Sequence, residues 1–124
     1  MPSNILIGTF ETQADLSGRL VIPKNLRKER VFYVSFEDTG LDLYPTSNLS
    51  DEELTSLASS RVTLDNQNRV NLSAYCDRYD IRGKSLVLIT DGLSIKVLTA
   101  KGHQEYEVLN DERVKETLDE YGII

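Results

Sequence analysis

The chain is poor in the residues that carry covalent and metal chemistry. Its single cysteine, Cys76, excludes an internal disulfide and the paired-cysteine zinc patterns. Cys76 reads as a small buried apolar residue rather than a reactive thiol. The single histidine, His103, follows Gly102 in what reads as a loop, as an ordinary surface residue. One histidine and one cysteine, far apart in 124 residues, make a poor nucleophile–base pair. Glycine-rich phosphate loops and metal-ligand spacings are missing too, so the expectation is no enzyme, no cofactor and no metal. No apolar run approaches the roughly 18 residues that span a bilayer. The opening Met1-Pro2-Ser3-Asn4 lacks a basic segment, and Ile5-Leu6-Ile7 is too short for a signal-peptide core. A cytoplasmic protein with no membrane partner is expected.

Basic charge is scarce overall and absent from one whole stretch. The formal net charge is −6, and residues 31–60 hold six acids and no base. The tail from Asp91 holds eight acids and four bases. The bases gather in two other places. Arg19, Lys24, Arg27, Lys28 and Arg30 stand against Glu29 in residues 18–30. Arg69, Arg78, Arg82 and Lys84 stand against Asp77 and Asp80 in residues 66–84. A binding face produces such an asymmetry, and so does a pair of solvated helices.

Both basic clusters follow the same frame. Residues 15–23 read D-L-S-G-R-L-V-I-P and residues 65–73 read D-N-Q-N-R-V-N-L-S. With Asp15 set on Asp65, Arg19 falls on Arg69, Leu20 on Val70 and Ile22 on Leu72. Each copy is followed by a mixed basic and apolar segment, then by two apolar runs around a turn. Gly40 marks the first turn and Asp91-Gly92 the second, a strong hairpin signal. Matching Gly40 to Gly92 places two extra residues in the second basic segment. Each half therefore predicts strand, motif loop, strand, short helix and hairpin.

Residues 48–60 predict a connecting helix, with Ser50 and Glu53 as a capping box. Asp111 to Tyr121 predicts a C-terminal helix capped by Asn110 and stopped by Gly122. The expected layout is a first repeat over 5–47, a connecting helix over 48–60, a second repeat over 61–109 and a terminal helix over 110–124. Half of such a chain is marginal for a core of its own. Two halves that exchange strands into a closed barrel would share one core and remove exposed sheet edges. The expected fold class is mixed α+β: mainly β, with short helices.

The motif itself has two readings. Structurally, Gly18 permits a tight turn, and Asp15 can accept backbone N–H groups and pair with the Arg19 fork. Functionally, Arg19, Lys24 and Arg27 cluster on and after a loop, and arginine contacts phosphate or reads guanine. The carboxylates of Asp15 and Asp65 could meet as an acid–base pair, but an arginine four residues after each would keep both ionised.

The stretch Gly8 to Arg27 resembles the opening of the MraZ branch of the SpoVT/AbrB-like, swapped-hairpin transcription regulators. That family usually has Gly-Glu-Tyr-x-x-x-x-Asp-x-x-Gly-Arg-x-x-[Ile/Val/Leu]-Pro and then a basic helix. Leu43-Tyr44-Pro45 is similar to its first hairpin exit, and Arg61 to Asp65 to its second-repeat entry, so the likeness runs from about Gly8 to Val108. Asn68 stands where the family usually has Gly, and Ser73 replaces the second Pro. The resemblance implies a double-repeat swapped-hairpin barrel and a ring-like homo-oligomer. It also implies sequence-specific binding of double-stranded DNA in transcription control, at the bacterial nucleoid. The residues that carry over are Asp15, Arg19, Asp65 and Arg69, and Gly18 and Asn68 are the turn positions of the two motifs. Lys24, Arg27 and Arg78 supply nearby basic charge. The competing expectation is an acidic protein-interaction module on the same scaffold, such as a mobile-element or phage relative, that does not bind DNA.

Overall fold

Alternation of apolar and polar residues sets the strands. The structure, a computed structural model, describes residues 8–24, 29–37, 39–90 and 93–109. Its strands are β1 (Gly8–Gln13), β2 (Arg19–Val21), β3 (Val31–Phe36), β4 (Leu41–Pro45), β5 (Arg61–Thr63), β6 (Arg69–Asn71), β7 (Ser85–Thr90) and β8 (Ile95–Thr99). Six of them form an antiparallel sheet in the order β1-β7-β8-β4-β3-β5, and β2 pairs with β6 as a separate ribbon. In the sheet, Val34 lies opposite Leu43, Leu43 opposite Ile95, and Leu88 opposite Val97, so these side chains share one face. Leu20, Ile22, Val70 and Leu72, from the ribbon and the residues just after it, join them in one buried cluster. Fully burying a side chain of this size contributes about 1.5–3 kcal/mol.

The halves exchange strands. β1 pairs with β7 of the second hairpin, and β5 pairs with β3 of the first. The hairpins meet along β4 and β8, with Leu41 opposite Val97 and Leu43 opposite Ile95. This register equates Leu41 with Ile95 and Val34 with Leu88, a shift of 54 residues. The shift of 52 that follows from matching Gly40 to Gly92 is therefore corrected. Four extra residues, not two, separate the second motif from its hairpin, between Asn71 and Ser85. Two residue pairs lie on the resulting pseudo-twofold axis, each facing its own counterpart: Leu20 with Val70, and Asp42 with Lys96.

The expected closure is absent among the described residues. β1 and β5 stand at the two edges of the six-stranded sheet, each hydrogen-bonded on one side. β5 has three residues and reaches along β3 only from Val31 to Tyr33. The connecting segment is also not one helix. It is a 3-10 turn (Thr46–Asn48), then α1 (Asp51–Ser56), then a second 3-10 turn (Ala58–Ser60). The capping box is present: Ser50 Oγ accepts from the Glu53 N–H and Glu53 Oε1 from the Ser50 N–H. Leu57 ends α1 with a ψ of 10°, where the chain tightens.

A second helix, α2, covers residues 100–109. His103 is thus helical rather than in a loop, and its Nε2 lies 3.1 Å from Glu107 Oε1 one turn on. The helix expected over 111–121, the basic helix after the first motif and the Asp91-Gly92 turn lie outside the described residues. Cys76 is buried, with Sγ 3.5 Å from the Leu72 carbonyl. No helix of the described residues is long and apolar enough to cross a membrane.

The axial pair on β4 and β8 carries charge into the interior. Asp42 has a side chain only 1% exposed, and Lys96 Nζ lies 3.2 Å from its Oδ2. The Tyr44 hydroxyl donates to the same oxygen at 3.2 Å and lies 3.5 Å from Glu37 Oε1. Burial, then the neighbouring Glu37 carboxyl, push Asp42 up to about 7 against the pull of Lys96. The unfolded chain releases this proton near 3.8. Between these values the folded state binds more protons, so this group's contribution falls as pH rises and levels off above about 7. Urea midpoints measured across this range should decline in the wild type and decline less in Asp42→Asn. An equal decline in both would remove Asp42 as its source.

Candidate nucleic-acid interface

The two motif loops are built alike. Asp15 Oδ1 accepts the N–H groups of Ser17 and Arg19, both at 2.9 Å, and Oδ2 accepts Arg19 Nε at 3.0 Å. Asp65 Oδ1 accepts those of Gln67 and Arg69 at 2.8 and 3.0 Å, and Oδ2 accepts Arg69 Nε at 2.9 Å. Main-chain bonds close each turn: Asp15 N to Arg19 O at 2.8 Å, and Asp65 N to Arg69 O at 3.0 Å. The backbone N–H of the arginine in each loop is the main reason its aspartate is held below the usual carboxylate range. Both carboxylates therefore stay ionised near neutrality and act as staples, each on its own loop. This is the structural reading of the motif, realised twice.

The turn needs a left-handed residue at its fourth position. Gly18 has φ +84° and Asn68 φ +61°. Asn tolerates this region better than other side chains, which explains how the second loop keeps its shape without glycine. A Cβ on Gly18 would lie 3.1 Å from Cys76 Sγ and 3.2 Å from Ser73 Cα. The first loop thus packs directly on the turn that follows the second. The loops also complete one another through the main chain. Ile22 N donates to Asn68 O at 3.0 Å, and Leu72 N to Gly18 O at 2.9 Å.

This arrangement decides where the arginines stand. Leu20 and Val70 face each other in the core, so their neighbours on β2 and β6 point outward. Arg19 lies opposite Asn71, and Arg69 opposite Val21. The arginines are diagonal across the pseudo-twofold axis on one outer face. Their side chains are 37% and 25% exposed, and each is gripped at Nε by its aspartate. Lys24 is exposed just after β2. Arg27 lies outside the described residues. Arg78 has another partner: its guanidinium sits 3.8 Å from the centroid of the Phe36 ring, which also meets Tyr75 edge-on. The structure thus brings Arg19 and Arg69 together and gives Arg78 a packing role at the end of β3.

The sequence pattern does not single out other residues of the ribbon and its loops. Leu16, at the tip of the first loop, is 86% exposed, and Val21 is exposed between the arginines. Arg30 reaches the second loop, with Nη1 3.0 Å from Asn68 Oδ1 and Nη2 2.8 Å from Asp65 O. Its partners are more than thirty residues away in sequence, so no local pattern points to it. Comparison with known proteins matches no family model to the chain, and no curated protein matches it either.

The turn position gives a direct stability test. Gly18→Ala forces a side chain into the left-handed region and against Ser73, and should cost about 1–2 kcal/mol from the backbone alone. Asn68→Gly relieves backbone strain while losing the Arg30 contact, so its cost should be smaller. Urea denaturation of both variants checks the order, and a larger loss for Asn68→Gly would reverse it.

Proposed function

We propose that the chain is a sequence-specific, double-stranded-DNA-binding transcriptional regulator, and that the outer face of the β2–β6 ribbon is its DNA contact. The observation that carries this reading is the placement of Arg19 and Arg69 on one outer face, diagonal about a pseudo-twofold axis and each held at Nε. A guanidinium fixed along one edge and exposed elsewhere is pre-organised to meet a phosphate or a guanine edge. Two such groups related by a twofold suit a duplex, whose antiparallel strands are themselves related by twofold axes. Lys24, exposed just after β2, adds sequence-independent attraction beside the first loop, and Arg27 follows it in the sequence.

The resemblance to the MraZ branch of the swapped-hairpin regulators supports the same reading. The exchange of β1 and β5 between the hairpins fits that architecture, although the six-stranded sheet is not closed among the described residues. On this reading the chain works as a ring-like homo-oligomer in the cytoplasm, at the nucleoid. The net charge of −6 is compatible with this reading because Asp15 and Asp65 are engaged within their own loops, and other acids lie in other elements: Asp51, Glu52 and Glu53 in the first turn of α1, and Glu37 beside Asp42.

Titration of labelled random-sequence and genomic duplexes across a salt series tests the proposal. Binding should weaken steeply with salt, and the slope of log K against log salt should lose about 1 for each phosphate contact removed. Arg19→Ala with Arg69→Ala should therefore weaken binding and lower the slope by about 2 if both contact phosphate. A folded wild type that binds no duplex at low salt would overturn the proposal. The acidic stretch at Glu37-Asp38 and the acidic tail would then be the place to seek a protein partner.

A further inference from the structure

The two motif loops share their internal bonds but are fastened to the rest of the molecule in different ways. In the first, the main chain is the clamp: Gly83 N donates to Asp15 O at 2.9 Å. In the second, the Asp65 carbonyl accepts instead from Arg30 Nη2 at 2.8 Å. The surrounding backbone is otherwise equivalent. Ala14 N donates to Lys84 O at 3.0 Å, and Leu64 N to Arg30 O at 2.8 Å, so Arg30 stands where Lys84 stands in the other half. Gly83 corresponds in turn to Glu29, whose carboxylate is used elsewhere. It accepts Ser47 N at 3.1 Å and Ser47 Oγ at 2.6 Å, on the turn after β4.

Arg30 does more than replace one bond. The same guanidinium holds Asn68 Oδ1 at 3.0 Å and lies 3.4 Å from Leu64 O. Asn68 is the residue at positive φ, and Arg69 follows it directly. One planar group thus spans the entry of the loop at Leu64–Asp65 and its left-handed corner. A planar fork suits this bridging, whereas a lysine offers a single ammonium point. Because Arg30 is exposed, removing it opens no cavity in the core.

We infer that Arg30 is a positioning residue for the second loop: it holds Asn68, and through it Arg69, in the geometry that meets the duplex. This inference rests on the DNA-binding reading above. It makes the outer clamps of the two loops separable, since the Asp15 carbonyl is held by a main-chain N–H and the Asp65 carbonyl by a replaceable side chain.

The test is a double-mutant cycle on the full chain, with a fluorescein-labelled duplex of random sequence as the probe, alongside amide hydrogen exchange on the free protein. Arg30→Ala should weaken binding severalfold, close to the effect of Arg69→Ala, and the two losses should not multiply when combined. Arg30→Ala with Arg19→Ala should give the product of the separate losses, and Arg30→Lys should not restore binding. In the free protein, Arg30→Ala should speed exchange at the Gln67 and Arg69 amides and leave those of Ser17 and Arg19 unchanged. A general loss of stability would instead speed both loops. Exchange that is unchanged at the second loop, or losses that multiply with Arg69→Ala, would overturn the inference. A wild type that binds no duplex would remove the DNA reading and the inferred role with it, while the exchange result would still decide whether Arg30 fixes the loop.

Discussion

The pairing of β2 with β6 is the constraint on which the rest of the structure depends. Each strand has three residues and would not persist alone. Together they bury Leu20 against Val70, and each turn accepts a main-chain bond from the residue that follows the opposite strand. Each loop closes its own turn and is held in place by a bond from the other half of the chain. The same pairing closes the open side of the core and sets two arginines on a common outer face.

A second exchange reinforces the first. β1 and β5 leave their own halves to extend the opposite hairpin, so each hairpin becomes a three-stranded unit with a wider apolar face. Along the join between hairpins, Asp42 meets Lys96 on the pseudo-twofold axis. A true twofold would place identical residues there, and two aspartates or two lysines in a buried site would repel. Divergence of the two halves resolves this by giving one position an acid and the other a base. The same divergence separates the loops, where Gly18 and Asn68 reach one conformation by different means and Gly83 and Arg30 fasten it by different groups.

On the proposed reading, a turn closed by its own side chains also serves as a contact surface. Asp15 and Asp65 spend both oxygens on their own loops, so they shape the face and are not free for chemistry between the halves. Fixing Nε of each arginine reduces the rotamer freedom that the proposed DNA binding would otherwise have to remove.

Much of this was legible in the residues because the interactions are local. The D-x-x-x-R turn spans five residues and the Ser50–Glu53 box spans four, so spacing alone predicts which groups can meet. Alternation of apolar residues marked both hairpins for the same reason. The failures are those of distance. Arg30 meets a residue 38 positions away and Asp42 one 54 positions away, and the backbone path between them is not written in any spacing. The offset between hairpins depended on how the strands align, and matching glycines gave 52 where the ladder gives 54. Arg78 belongs to a basic cluster in the sequence, and the spacing does not show that its guanidinium lies over Phe36. By itself, then, the sequence determined the repeat, the turns and the strands, through contacts within a few residues. Only the tertiary structure decided the open sheet, the partner of each cation and the face that two distant arginines share, because those follow from strand exchange and burial across the whole chain.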